Sequence, residues 1–263
     1  MRDTPGMQVE EPVGSGVGGA AQRGELSLAY QPIVGPAGGE PVAVEALVRW
    51  RHPRLGLLGP ESFLPRLARD GELHLLDDWV LRTATAQFAS WRGTAGAPAG
   101  IGLSVNVSRA RLMSPGLPEL LAGAVAAAGL DRSLLDLEVG EALLLDDLHA
   151  AADVLGPLTA AGFGITVDDV SAAGTSARHL QAVGARGIKV DRSYVAGLAD
   201  SARDRAVVRN LVERVTAAGL TVTAVGVETV AQQTALAEMG CPRAQGWLFG
   251  RPSPLSELGA LPA

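Results

Sequence analysis

The sequence is poor in the residues that staple or metallate small domains: it has one cysteine, Cys241, and four histidines, His52, His74, His149 and His179. A lone cysteine makes no internal disulfide and no thiolate cage, so a small disulfide scaffold and a cysteine metal site are excluded, and the histidines lie far apart in sequence with no ligand-like pair spacing. No long hydrophobic run is present either. The longest, Leu121 to Leu130, is about half of the roughly 20 residues that cross a bilayer. Met1 to Pro12 is polar and acidic and lacks the basic start and apolar core of a secretory leader, so no membrane span and a reducing, cytoplasmic setting are expected. A basic excess is missing as well: 28 acidic side chains face 22 basic ones, for a net charge of -6. Such a field repels phosphates, which argues against broad DNA or RNA binding and confines any anionic ligand to a local site.

What is present suits one large domain, with 263 residues of which 47% are hydrophobic. Residues 1–24 carry Gly-Ser-Gly-Val-Gly-Gly and no apolar period, and are expected to form a disordered tail. From residue 25 to 263 short apolar runs alternate with amphipathic stretches without a linker. Strands are expected at Leu26–Ile33, Val42–Trp50, Gly102–Val107, Leu134–Val139, Gly164–Asp168, Gly187–Val190, Thr221–Gly226 and Arg243–Gln245. Helices are expected at Glu61–Arg69, His74–Trp91, Leu117–Ala128, Leu148–Ala161, Arg203–Ala217 and Val230–Met239. The pattern is clearest at Arg203–Ala217, where Val207, Val208, Leu211, Val212 and Val215 recur at helical spacing. Strand then helix, repeated about eight times, predicts an α/β chain forming either a closed parallel barrel or a doubly wound sheet. No Gly-x-Gly-x-x-Gly follows the first strand, which disfavours the dinucleotide-binding alternative.

Polar residues recur within or just after the strands: Glu45 and Arg49, Asn106, Glu138 with Glu141, Asp168 with Asp169, Lys189 with Asp191, Glu228, and Gln245. Any one of these acids could be a helix cap or a turn residue. Together, at the ends of six successive strands of a barrel, they converge on one mouth. Carboxylates gathered there need cations, and oxygen ligands of this kind suit Mg2+ or Mn2+.

Val44-Glu45-Ala46-Leu47-Val48-Arg49-Trp50, preceded by Tyr30-Gln31-Pro32-Ile33 and followed by Arg51-His52-Pro53, resembles the EAL domain of cyclic di-GMP signalling. The likeness continues through Val105-Asn106-Val107-Ser108, Leu137-Glu138-Val139-Gly140-Glu141, Thr166-Val167-Asp168-Asp169, Ile188-Lys189-Val190-Asp191, Gly226-Val227-Glu228-Thr229 and Gly240-Cys241-Pro242-Arg243-Ala244-Gln245-Gly246, over roughly residues 25–261. It implies a modified eight-stranded TIM-like (β/α)8 barrel that hydrolyses cyclic di-GMP with two cations, Mg2+ or Mn2+. It assigns Glu45, Asn106, Glu138 and Asp168 to one metal, Asp168 and Asp169 to the second, and Lys189 to the catalytic lysine. Gln31, Leu47, Arg49, Asp191 and Gln245 match ligand contacts, with Glu228 beside them. Glu141 matches the residue that supports the loop after Asp169. No diguanylate cyclase or sensor domain is expected beside this one within the 263 residues.

Two departures stand out. Where the family has Glu-Gly-Val-Glu, this chain has Val225-Gly226-Val227-Glu228, so a ligand of the second metal has become an isopropyl group. Where the family has Asp-Asp-Phe-Gly-Thr-Gly-Tyr-Ser-Ser, this chain reads Asp168-Asp169-Val170-Ser171-Ala172-Ala173-Gly174-Thr175-Ser176. Ser171 and Ala173 replace the glycines, which predicts strain in the loop's usual path and a Glu141 without its usual partners. Both changes fall on the second metal, leaving a first site able to bind and a second site in doubt. The expectation is therefore a degenerate EAL domain, impaired or inactive in catalysis, acting as a cyclic di-GMP receptor or interaction module. The alternatives are a slow Mg2+/Mn2+-dependent phosphodiesterase producing pGpG, and a protein-interaction domain that binds no nucleotide. A homodimer or another protein partner is left open.

Overall fold

The computed structural model describes residues 16–35, 39, 41–94, 97–171 and 175–260, with Gly259 and Ala260 described through their backbone only. In chain order the elements are α1 (Val17–Gln22), β1 (Leu26–Val34), β2 (Pro41–His52), β3 (Gly56–Leu58), α2 (Pro60–Asp70), α3 (Leu73–Arg92), β4 (Gly102–Asn106), α4 (Arg109–Leu112) and α5 (Leu117–Ala128). They continue with β5 (Leu135–Gly140), α6 (Ala142–Asp146), α7 (Leu148–Ala160), β6 (Gly164–Val170), α8 (Ala177–Ala182), β7 (Gly187–Val190), α9 (Arg192–Ala196), α10 (Ala202–Ala217), β8 (Thr221–Val225), α11 (Val230–Glu238) and β9 (Arg243–Gln245).

Eight strands close into a barrel in the order β1, β9, β8, β7, β6, β5, β4, β2, with β2 returning to β1 and β3 appended to β2 as a hairpin. From β2 through β9 the barrel neighbours run parallel, whereas β1 is antiparallel to both β2 and β9. This is the modified eight-stranded α/β barrel expected from the sequence. A strand turns alternate residues to opposite faces, and the sequence uses that period fully. On β5, Leu135, Leu137 and Val139 are buried outward beneath the helices, while Asp136 and Glu138 turn inward. On β7, Ile188 and Val190 alternate with Gly187 and Lys189 in the same way. Gly187 is required by proximity, because a Cβ there would stand 2.5 Å from the Thr221 carbonyl oxygen of β8.

The helices cover the outer faces. In α10 the buried residues are Val208, Leu211, Val212 and Val215, and the Ser201 side chain caps the helix by accepting from the Asp204 amide. Thr229 and Gln232 form a reciprocal capping box at the start of α11.

The expected tail is corrected at its C-terminal end. Residues 1–15 lie outside the described residues, but Val17–Gln22 forms α1, with Val17 and Ala20 buried against the domain. Its Gly-rich sequence has little helical propensity; the helix is held from outside, by the Glu72 carboxylate accepting from the Val17 amide at 2.7 Å.

Candidate functional site

The innermost polar layer lies near the C-terminal end of the barrel and joins four strands. Glu45 of β2, Glu138 of β5, Lys189 of β7 and Gln245 of β9 all point inward and are all buried. The Lys189 ammonium donates to Glu45 Oε2 at 2.8 Å and lies 2.6 Å from Glu138 Oε1. Glu45 also accepts from Asn106 Nδ2 at 2.7 Å and from Gln245 Nε2 at 2.6 Å. Glu138 Oε1 accepts a second contact, from Ser104 Oγ at 2.6 Å. Sequence reasoning missed Ser104. Its signal was positional, since it stands two residues before Asn106 and shares its inward face.

One ammonium serving two buried carboxylates sets the electrostatics. Burial alone pushes the Glu45 carboxyl up, but the charge and hydrogen bond of Lys189, with the Gln245 amide, overcome it and hold Glu45 down at about 2. Glu138 is pushed well above the usual carboxylate range, first by burial and then by the charge of Glu45. Lys189 stays protonated, because the carboxylates around it outweigh the burial that would discharge it. Asp168 is raised by burial and by Glu45, and Asp169 by burial and by Asp191. The layer therefore carries more acid than its single lysine neutralises.

That imbalance bears on a metal. Glu138 Oε2 is buried without a hydrogen-bond partner, and Asn106, Glu45 and Asp168 add oxygen donors at the same end of the barrel, a set whose chemistry fits Mg2+ or Mn2+. As the side chains stand, no three His, Cys, Asp or Glu among the described residues gather closely enough to hold an ion. The second set does not fit. Val225 supplies no donor atom; it lines a recess with Gln31, Arg192, Gly226, Glu228 and Trp247. Glu228 is exposed there, its backbone amide bound to Gln232.

The loop after β6 departs from expectation. Ser171 has no left-handed backbone; among the described residues the one non-glycine with positive φ is Asp169, at 56°. Asp169 sits in a bulge of β6 and donates its amide to Asp168 Oδ1 at 2.9 Å, so the backbone cost falls on one of the residues expected at the site. Ala172, Ala173 and Gly174 lie outside the described residues. Nor is Glu141 without partners. Its carboxylate accepts from the Ser171 amide at 3.1 Å, from Ser171 Oγ at 3.0 Å and from the Thr175 amide at 2.7 Å. The hydroxyl that replaced a glycine has become a ligand of the residue expected to lose its contacts.

The remaining expected ligand contacts frame the mouth. Gln31 donates to the Gly250 carbonyl at 3.0 Å and accepts from Gln245 at 3.3 Å. Leu47 and Arg49 follow Glu45 on the inner face of β2, and Arg49 folds back to donate to the Val48 carbonyl. Asp191 caps α9 through the Ser193 amide at 2.7 Å, the cap role foreseen as its alternative. The exposed Trp247, with the Arg251 guanidinium stacked 4.1 Å from its ring centre, adds a rim feature that the sequence reading did not single out.

Comparison with known proteins gives a consistent answer. The profile of the family described as EAL domain matches residues 18–252. The bifunctional diguanylate cyclase/cyclic di-GMP phosphodiesterase MucR of Pseudomonas aeruginosa is 36% identical over 239 residues, 91% of this chain and 35% of that protein. The cyclic di-GMP phosphodiesterase NbdA of the same organism is 35% identical over 258 residues, 98% of this chain and 32% of that protein. The chain thus spans about a third of the length of these curated relatives. Among solved structures, the PaMucR phosphodiesterase in its c-di-GMP complex superposes with a TM-score of 0.86 at 36% identity, covering 91% of this chain and 96% of that one. The EAL domain of Mycobacterium smegmatis DcpA gives a TM-score of 0.72 at 33% identity, covering 90% and 95%.

Proposed function

The chain belongs to the EAL domain family of cyclic di-GMP signalling, and from that premise we propose that it is a cyclic di-GMP receptor whose phosphodiesterase activity is lost or weak. The observation that carries the reading is the pairing of an intact inner layer with Val225: Gln31, Glu45, Lys189 and Gln245 form one connected set, while the adjoining inner position of β8 holds a side chain without a donor.

Arg49 offers the phosphodiester a planar fork of donors, and it gives up only a backbone carbonyl to do so. Gln31 and Gln245 orient the ligand's polar edges. A first metal would be held by Glu45, Asn106, Glu138 and Asp168, and when bound it supplies charge to polarise a phosphate oxygen and acidify a water. Lys189, kept charged by Glu45 and Glu138, is an electrostatic and hydrogen-bonding partner at that end rather than a free base.

A slow Mg2+/Mn2+-dependent phosphodiesterase is the second reading, and a specific observation favours it over complete inactivity. Glu141 still ties Ser171 and Thr175, the described residues on either side of the altered segment, so the loop keeps a brace despite its changed sequence. Calorimetry with cyclic di-GMP, with and without Mg2+, combined with chromatographic detection of pGpG, separates the two. Binding without product supports the receptor, steady product the slow enzyme, and no binding at all removes both.

A further inference from the structure

TIM-type barrels are normally plugged by layers of bulky branched side chains. Here the inward positions below Lys189 and Glu138 are, apart from Ile33, small or polar, among them Ala43, Gly102, Ser104, Thr166, Gly187 and Thr223. They leave a cavity of about 220 Å3 inside the barrel's N-terminal half. Its lining runs from exposed residues at the base, Gly100, Ser133 and Arg186, up to the buried Glu138 and Lys189. Two acceptors on its lining residues, Asp136 Oδ1 and Glu138 Oε2, are buried and have no hydrogen-bond partner. Buried carboxylate oxygens without donors are costly, and a polar cavity of this size has room for several waters to supply them.

We infer that the barrel contains a hydrated shaft, open at its N-terminal face, that brings water to Lys189 and Glu138 from the side opposite the nucleotide mouth. Two other occupants fit less well. No trio of acidic, imidazole or thiol side chains gathers to hold a divalent ion among the described residues, and Lys189, Arg186 and Arg243 around the cavity disfavour a cation. An apolar solute would leave both acceptors unserved. Water meets the donor requirement, the size and the mixed charge. The consequence is that a ligand covering the mouth does not seal the buried layer from solvent. The inference does not depend on whether the chain binds nucleotide or turns it over.

The test uses thiol access in the full chain. In a Cys241→Ser background, Thr223→Cys places a thiol on the shaft wall, on the residue paired in register with Lys189. Its labelling by methyl methanethiosulfonate is compared with labelling by a bulky maleimide, which reports unfolding alone. A shaft predicts fast reaction with the small reagent, slow reaction with the bulky one, and a fall in the small-reagent rate of about tenfold or more when Gly102→Val plugs the base. A Cβ at Gly102 meets only ordinary contacts at 3.6 Å and beyond, so the plug has room; Ala43→Leu is the second plug if circular dichroism shows the first unfolded. Equal rates for the two reagents, or a small-reagent rate unmoved by a folded plug variant, overturns the inference. A high-resolution crystal structure gives an independent reading: ordered waters on Asp136 Oδ1 and Glu138 Oε2 support the shaft, and a dry cavity refutes it.

Discussion

The Lys189 ammonium lies 2.6 Å from Glu138 Oε1, with both residues buried and the second oxygen of Glu138 left without a partner. This contact makes the metal-free layer dependent on one cation. Lys189→Met strands Glu45 and Glu138 as unpaired buried acids, and should cost about 3 to 5 kcal/mol in metal-free urea unfolding. Saturating Mg2+ should recover part of that loss if the first set of ligands binds it. A Lys189→Met protein as stable as its parent without metal would contradict the electrostatic account.

The pH dependence has two opposed signs. Glu138 has a raised folded pKa, so its contribution is present below the ordinary carboxylate value and is lost as pH rises through the higher folded one. Glu45 is held at about 2, so its contribution is present above the ordinary value and is lost as pH falls toward 2. Metal-free Glu138→Gln should therefore gain stability relative to the parent as pH rises above the ordinary carboxylate range, the two converging near pH 4. Thermal melts across pH measure this; a difference that grows toward acid would reverse the assignment.

Glu141 holds Ser171 and Thr175, the described residues that flank positions 172–174. Removing its carboxylate leaves the Ser171 and Thr175 amides without their acceptor, so Glu141→Ala should cost about 1 to 3 kcal/mol and speed hydrogen exchange at those two amides. Glu141→Gln, which retains acceptor capacity, should fall between. Unchanged exchange at Ser171 and Thr175 would show that the brace is not used in solution.

Arg49 reports on the ligand. Under the proposed receptor function its loss removes a charge-assisted phosphate contact, so Arg49→Ala should weaken cyclic di-GMP binding by about 1.5 to 3 kcal/mol, measured by calorimetry on folded protein. Full affinity would move the nucleotide away from the barrel mouth.

The repeat of strand and helix narrowed the sequence to a closed barrel or a doubly wound sheet, and the family likeness selected the barrel; on β5 the alternation of Leu135, Leu137 and Val139 with Asp136 and Glu138 then sorts the residues into outer and inner faces. The gathering of Glu45, Glu138, Lys189 and Gln245 followed from their recurrence at the ends of successive strands and from the family likeness. What escaped the reading depends on partners distant in sequence. Helix α1 is Gly-rich, and its amide is held by Glu72, 55 residues away. Ser104 gains meaning only beside Glu138. Ser171 read as a damaged glycine position, whereas its hydroxyl and amide now serve Glu141, and the left-handed residue is Asp169, two positions earlier. Local sequence shows what a substitution removes; the new contact it makes is set by the fold around it.

The most direct test of the receptor reading is a single-turnover measurement: limiting cyclic di-GMP mixed with excess protein and Mg2+ or Mn2+, with nucleotide binding and pGpG followed in the same sample. The parent chain should bind the nucleotide and leave it uncleaved or cleave it only slowly, while Val225→Glu combined with Phe-Gly-Thr-Gly-Tyr-Ser at positions 170–175 should convert it well beyond the sum of the separate changes, as expected for groups that act as a unit. Rapid, complete conversion to pGpG by the unaltered chain would contradict the account at its centre.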